Sequence, residues 1–139
     1  QAARARSPHD LERTPRAPTS SAAMRASRAA LSAALRRLEA AELKAAMGGL
    51  SGEWRLGGSQ QHLERTFRFR DFCGAWGFMS RVALHAEKAD HHPNWSNVYN
   101  TVEVKLWTHD AGGITAKDFD LASKMDEAAS ETGAASAAA

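Results

Sequence analysis

The chain has 139 residues, with 18 Lys and Arg against 16 Asp and Glu and a formal charge of +2. That length holds one modest core plus tails, and its apolar runs are broken by Arg, Glu or Gly well short of the about 18 residues a membrane span needs, so a soluble single domain is expected with no membrane partner. Residues 1–30 carry six Arg against Asp10 and Glu12, net +4, which leaves the remainder at −2; a mildly acidic domain without a stripe of Lys and Arg lacks the footprint of phosphate binding, and a direct nucleic-acid partner is excluded.

Taken in order, residues 1–30 are rich in Ala, Arg, Ser and Pro with almost no large apolar side chain. Such a segment cannot offset the entropy of ordering, so it is expected to be disordered. Its Arg-rich, acid-poor composition fits a mitochondrial or plastid transit peptide as well as a solvated tail; without such targeting the expected location is cytoplasmic. Met24 is a candidate internal start, since the chain opens on Gln1. Cys73 is the single cysteine, which rules out an intramolecular disulfide and favours a reducing compartment.

Over residues 31–47, Leu31, Leu35, Leu38, Leu43 and Met47 keep roughly helical spacing among good helix formers, and Gly48, Gly49 or Gly52 ends the helix. Residues 54–56 form a short strand, Gly57-Gly58-Ser59 a turn, and residues 63–69 alternate apolar and polar side chains as a half-buried strand. Asp71 caps the next helix, which places Phe72, Ala75, Trp76, Met79, Ala83 and Ala86 on one face, assigned to the sheet. Phe78, Val82 and His85 fall on a second flank, assigned to a subunit contact. Gly74 and Gly77 sit inside this helix at a cost of about 1 kcal/mol each relative to Ala, which predicts a close neighbour at both.

That helix stops near Asp90-His91-His92-Pro93, because Pro93 disfavours helical backbone at His92. Adjacent residues on extended chain point to opposite sides, so His91 and His92 are badly spaced to ligate one metal ion. Residues 95–99 and 102–107 favour strands, with Asn100-Thr101 as the turn. In that register opposed residue numbers sum to 201: Tyr99 faces Val102, Trp95 faces Leu106, and His92 faces His109. After Gly112-Gly113, the pattern Thr115-x-x-Asp118 is a capping box that opens a last helix through about residue 129, with Phe119, Leu121, Ala122 and Met125 on its apolar face. Residues 131–139 form an Ala-rich tail expected to be disordered. Residues 31–130 are thus one α+β domain, a four-stranded antiparallel sheet with three helices on one face in the order α-β-β-α-β-β-α.

The runs Ala86-Glu87-Lys88-Ala89-Asp90-His91-His92-Pro93-Asn94-Trp95, Asn97-Val98-Tyr99-Asn100, Thr108-His109 and Lys117-Asp118, joined by Phe67-Arg68-Phe69-Arg70-Asp71-Phe72 and Gly77-Phe78-Met79-Ser80-Arg81-Val82-Ala83-Leu84, strongly resemble the pterin-4a-carbinolamine dehydratases. The resemblance covers about residues 38–129. It implies the same α+β architecture as a homodimer or homotetramer, here through the helix of residues 72–88. It also implies loss of water from a 4a-hydroxytetrahydropterin to give quinonoid dihydropterin, as in recycling of tetrahydrobiopterin-type cofactors, with no metal and no organic cofactor.

The elimination needs an acid for the departing hydroxyl and a base for the ring N–H. Histidine suits both roles because its ordinary pKa near 6.5 keeps both protonation forms populated at neutral pH. His91 and His109 are assigned as protonators of the hydroxyl, His92 to substrate binding and proton acceptance, and Asp118 to orienting an imidazole. Glu87, Asp90, Pro93 and Trp95 are assigned to substrate contact, while His62 and His85 are placed outside the site. Animal members of the family carry a cysteine at the position of Ala111, so any role of that thiol is absent here. The competing reading is a binding module without required catalysis, either a dimerisation cofactor of a homeodomain transcription factor or a carboxylase assembly factor. The intact histidines and aspartate favour the enzyme.

Overall fold

The computed structural model describes residues 20–135; the expected disorder of residues 1–19 and 136–139 lies outside them. The elements are α1 (Ser20–Ala34), α2 (Ala40–Met47), β1 (Arg55–Gly57), β2 (His62–Arg68), α3 (Phe72–Ala89), β3 (Asn94–Val98), β4 (Thr101–Leu106), a 3-10 turn (His109–Ala111) and α4 (Ala116–Glu131). The chain divides between Leu31 and Ser32 into two compact units, and α1 lies mostly in the first, where Met24 and Leu31 are exposed. The sheet, the core and the site belong to the second.

The single helix expected over residues 31–47 is two helices. Leu38 N–H donates to the Ile114 carbonyl at 2.8 Å, and Glu39 caps α2 through a box in which its own N–H donates to the Glu42 carboxylate at 2.9 Å. A tertiary bond and a local box together take the backbone groups that a continuous helix would use. Hydrogen bonding from Arg36, then from the Glu39 N–H, holds the Glu42 carboxyl down at about 2. The expected leader is likewise helical from Ser20 onward.

The sheet order is β1-β2-β4-β3, antiparallel throughout. Period-two alternation sends Leu63 and Phe67 of β2 and Val102, Val104 and Leu106 of β4 to one face. Leu43 of α2, Phe78 and Val82 of α3 and Leu121 and Met125 of α4 complete the core on that face. Arg65 also points inward, between Leu63 and Phe67; its guanidinium pairs with Asp126 of α4 and with Glu53 at 2.5 Å, and lies 4.1 Å from the Phe67 ring centre. Trp54 is buried, and its indole N–H donates to Asp126 at 2.8 Å.

The expected sheet face of α3 holds in part: Ala75 and Ala86 are buried and Met79 packs on the core, but Phe78 and Val82, assigned to the other flank, take the places expected of Phe72 and Trp76. Ala75, Phe78, Val82 and Ala86 are buried, while Phe72, Trp76 and Leu84 are exposed. Phe78 wins the core position because its ring fits between Phe67 and Phe69, at centroid distances of 4.7 and 5.1 Å. Asp71 caps α3 as expected, accepting from Gly74 N–H at 2.9 Å. Gly74 lies where an added Cβ would come within 3.2 Å of the Phe69 Cβ, the expected close approach, but Gly77 faces open space.

The β3–β4 hairpin turns one residue earlier than expected. Val98 pairs with Thr101 and Trp95 with Val104, so opposed numbers sum to 199 and the turn is Tyr99-Asn100. Tyr99 adopts left-handed backbone, φ 52°. The Asn97 side-chain N–H2 donates to the carbonyls of Tyr99 and Thr101, and Asn100 exchanges two hydrogen bonds with the backbone of Phe69. These bonds to the residue that follows β2 and across the turn select the register. After α4 the chain does not dissolve at residue 131: Ala134 packs against the core, and Ala135 N–H donates to the Arg68 carbonyl at 2.8 Å.

Candidate active site

The site begins at the C-terminus of α3. Asp90 takes left-handed backbone, φ 46°, so that the N–H groups of Asp90 and His91 close on the carbonyls of Glu87 and Ala86. This reverses the chain, and Pro93 keeps it extended. His91 is thereby turned inward, 8% exposed, while His92 is exposed, the opposite-sided placement expected of neighbours on extended backbone.

The inward ring meets α4. His91 Nε2 lies 2.6 Å from Asp118 Oδ1, and Asp118 is fully buried. Its other oxygen accepts from Thr115 N–H at 2.8 Å and from the Thr108 hydroxyl at 2.9 Å, while the Thr108 and Thr115 hydroxyls lie 2.8 Å apart. Asp118 is therefore both the capping-box residue and the partner of His91. The first turn of α4 adds the favourable end of the helix dipole, so a carboxylate here is compensated from three sides. An ionised carboxylate only accepts, which assigns a His91 proton to Nε2 and leaves Nδ1 as the other ring nitrogen.

Thr108 joins this pair to the third histidine. Thr108 N–H donates to the Gly113 carbonyl at 2.8 Å, closing a loop whose 3-10 turn begins at His109 and whose last residue before Gly113, Gly112, takes φ 64°. His109 is exposed, with its ring 5.2 Å from that of Trp107. Both line a cavity of about 460 Å³ together with Gln61, His62, Lys105 and the Gly112–Gly113 turn.

The expected opposition of His92 and His109 is not present: strand pairing ends at Asn94 with Lys105, and His109 lies beyond β4 in the 3-10 turn. His91 and His92 are not among the cavity-lining residues. The link runs instead from His91 through Asp118 and Thr108 to the backbone preceding His109. His92 Nε2 sits 3.0 Å from Glu87 Oε2 on the surface. Asp90 is exposed and serves the helix end, Pro93 is half-buried, and Trp95 is half-buried against the core. His85 is exposed on α3, whereas His62, placed outside the site on sequence grounds, faces the His109 cavity. Thr108 and Trp107 were missed as well; their adjacency to His109 was the available signal. Among the described residues, no group of three or more His, Cys, Asp and Glu side chains is placed to hold a metal ion, and no helix is long and apolar enough to cross a membrane.

The family model described as Pterin 4 alpha carbinolamine dehydratase matches residues 36–128, spanning every residue of the site. A Novosphingobium aromaticivorans protein is 62% identical over 74 residues, 53% of this chain and 77% of its own. A Bordetella avium protein is 54% identical over 92 residues, 66% of this chain and 84% of its own. Both are named as pterin-4-alpha-carbinolamine dehydratases. A crystal structure described as a transcriptional coactivator/pterin dehydratase from Brucella melitensis superposes with a TM-score of 0.65 at 42% identity, covering 68% of this chain and 99% of that one.

Proposed function

Because the chain belongs to the pterin 4 alpha carbinolamine dehydratase family, we propose that it removes water from a 4a-hydroxytetrahydropterin and that histidines make the proton transfers. The C4a–O bond breaks as a proton is delivered to the hydroxyl, which leaves as water. The N5–H proton is lost as the C4a=N5 bond forms, giving the quinonoid dihydropterin. The balance needs one acid and one base and no electron carrier.

His109, on the cavity wall, and His91 are the protonators in this reading. The observation that carries it is the His91–Asp118 pair: a buried carboxylate fixes one imidazole nitrogen as a donor and so gives the other a defined role. His92, paired with Glu87, is the substrate-binding and proton-accepting histidine. Asp118 is a positioning residue. The test is spectroscopic: the purified protein, added to freshly generated 4a-hydroxytetrahydropterin, is expected to accelerate formation of the quinonoid product. A rate equal to the buffer blank refutes the reading.

The same proposal includes self-association through α3, now on its other flank. Phe72 and Trp76 stack at 5.9 Å and are 46% and 55% exposed, with Leu84 74% exposed farther along the helix. A stripe of this kind on a one-sheet domain is the surface a second copy would cover. Sedimentation equilibrium at micromolar concentration is expected to give a dimer or tetramer; a monomer overturns it. A partner-binding role, which the coactivator description of the Brucella structure brings to mind, would use the same stripe.

A further inference from the structure

The cavity at His109 has a wall that the proton transfers do not use. His62 projects from the start of β2, and its Nε2 lies 3.2 Å from Glu64 Oε2. Its ring rests directly on the β1–β2 turn: a Cβ built on Gly57 would fall 2.4 Å from His62 Nε2, and one on Gly58 2.8 Å from its Cε1. The turn continues with Ser59 and Gln60, both non-glycine residues in left-handed backbone at φ 57° and 68°. Backbone of this kind is costly and persists where surrounding structure imposes it. Trp107, half-buried, stands between two imidazoles, 6.3 Å from His62 and 5.2 Å from His109.

The charges around this wall are unevenly satisfied. Lys105 faces Glu64 across the β2–β4 pair, yet Glu64 is taken by His62 and Lys105 has no carboxylate within ion-pair distance among the described residues. Against the Gly112–Gly113 turn, Arg37 donates to the Gly112 carbonyl at 3.3 Å, and its Nε lies 2.8 Å from where a Gly113 Cβ would be. Glycine at 113 is what lets that guanidinium lie against the turn. Arg37 also has no carboxylate partner among the described residues. Lys105, without an ion-pair partner among the described residues, thus lines the cavity together with an indole and two imidazoles.

Pterin chemistry says what would enter it. C6 is separated from C4a by N5 alone, so a histidine at the 4a-hydroxyl has the C6 substituent beside it. We propose, resting on the dehydratase reading, that the His62–Trp107–Lys105 wall receives the C6 side chain of the pterin and selects substrates whose side chain ends in an anionic group, a carboxylate or a phosphate. Trp107 offers the flat surface, and Lys105 supplies the charge complement.

The test compares three 4a-hydroxytetrahydropterins, with a methyl group, a neutral dihydroxypropyl chain or a carboxylate-tipped chain at C6, on the wild-type protein and on Lys105→Gln and Trp107→Ala. Wild type is expected to favour the carboxylate over the neutral chain in kcat/KM. Lys105→Gln is expected to lower that ratio about tenfold through KM rather than kcat, the scale of one charge-assisted hydrogen bond. Trp107→Ala should raise KM for both long-chain substrates more than for the methyl compound. The same side chains on unreactive dihydropterins, titrated by quenching of tryptophan fluorescence, read the preference without turnover. A protein that turns over none of the three yet binds the anionic pterin more tightly, in a Lys105-dependent way, overturns the dehydratase reading and keeps the pocket assignment. Equal use and equal binding of neutral and anionic side chains, or a preference untouched by Lys105→Gln, overturns the pocket assignment.

Discussion

Asp118→Asn is expected to lower dehydratase turnover by roughly 10²-fold while the protein stays folded. Asparagine keeps the shape and one accepting oxygen, enough for Thr115 N–H and the Thr108 hydroxyl, which share one carboxylate oxygen in the parent. Its amide nitrogen then faces His91 Nε2, where the parent presents Oδ1 at 2.6 Å. A donor cannot face a donor, so the imidazole must carry its proton on Nδ1, and its second nitrogen changes from acceptor to donor. As a protonator His91 acts as the imidazolium, with protons on both ring nitrogens, and an asparagine that presents its N–H2 to Nε2 removes the accepting, negatively charged oxygen that holds that form. Steady-state kinetics beside a thermal melt check this: turnover within threefold of the parent removes Asp118 from the mechanism. Asp118→Ala should add a stability loss of about 3 kcal/mol, because buried donors lose their acceptor at about 1–3 kcal/mol each while the two threonine hydroxyls retain one another.

Phe78→Ala is the second large effect, an expected destabilisation of about 3–5 kcal/mol. Phe78 has no exposed surface and is packed against Phe67 and Phe69, so truncation leaves a cavity bounded by β2 that Ala75 and Val82 are too short to fill. Trp76→Ala, two residues away and 55% exposed, should change the stability of the protomer by only about 0.5 kcal/mol while weakening association. Chemical denaturation at several protein concentrations separates the two. A concentration-dependent loss in Phe78→Ala with an intact protomer would restore Phe78 to the subunit contact and reverse the assignment of the two flanks.

The replacement of Phe72 and Trp76 by Phe78 and Val82 on the inner side of α3 shows where local pattern stops being sufficient. Phe72, Trp76 and Ala83 keep helical spacing as well as Ala75, Phe78, Val82 and Ala86 do, so two adjacent stripes of α3 are apolar and periodicity cannot rank them. The sheet ranks them, because only one stripe carries a ring that fits the gap between Phe67 and Phe69 with small residues at Ala75 and Ala86 to let the helix approach. Arg65 is a similar case: alternation along β2 assigns it the inner face, but the partners that make an inward arginine tolerable, Glu53 and Asp126, are 12 and 61 residues away in sequence.

The hairpin error was of a different kind and did less damage. Moving the turn from Asn100-Thr101 to Tyr99-Asn100 changes the sum of opposed numbers from 201 to 199, an even step, so no side chain changes face and Val102, Val104 and Leu106 stay in the core. Partners are nevertheless displaced by two residues, roughly 7 Å along the strand, and the predicted opposition of His92 and His109 goes with them.

What the sequence determined by itself is what depends on neighbours in the chain. Pro93 fixes the end of α3 and sends His91 and His92 to opposite sides; the spacing from Thr115 to Asp118 fixes the start of α4; alternation fixes the inner faces of β2 and β4. These follow from stereochemistry repeated over two to four residues, which is written in the order of the side chains. The tertiary structure alone decided which apolar stripe of α3 is inside, that His91 and Asp118, 27 residues apart, share a buried hydrogen bond, and that His62 faces Trp107 and His109 across one cavity. Those pairings depend on how helices and strands seat on one another, and that seating is settled by the summed packing of the whole core, which no local stretch of the chain encodes.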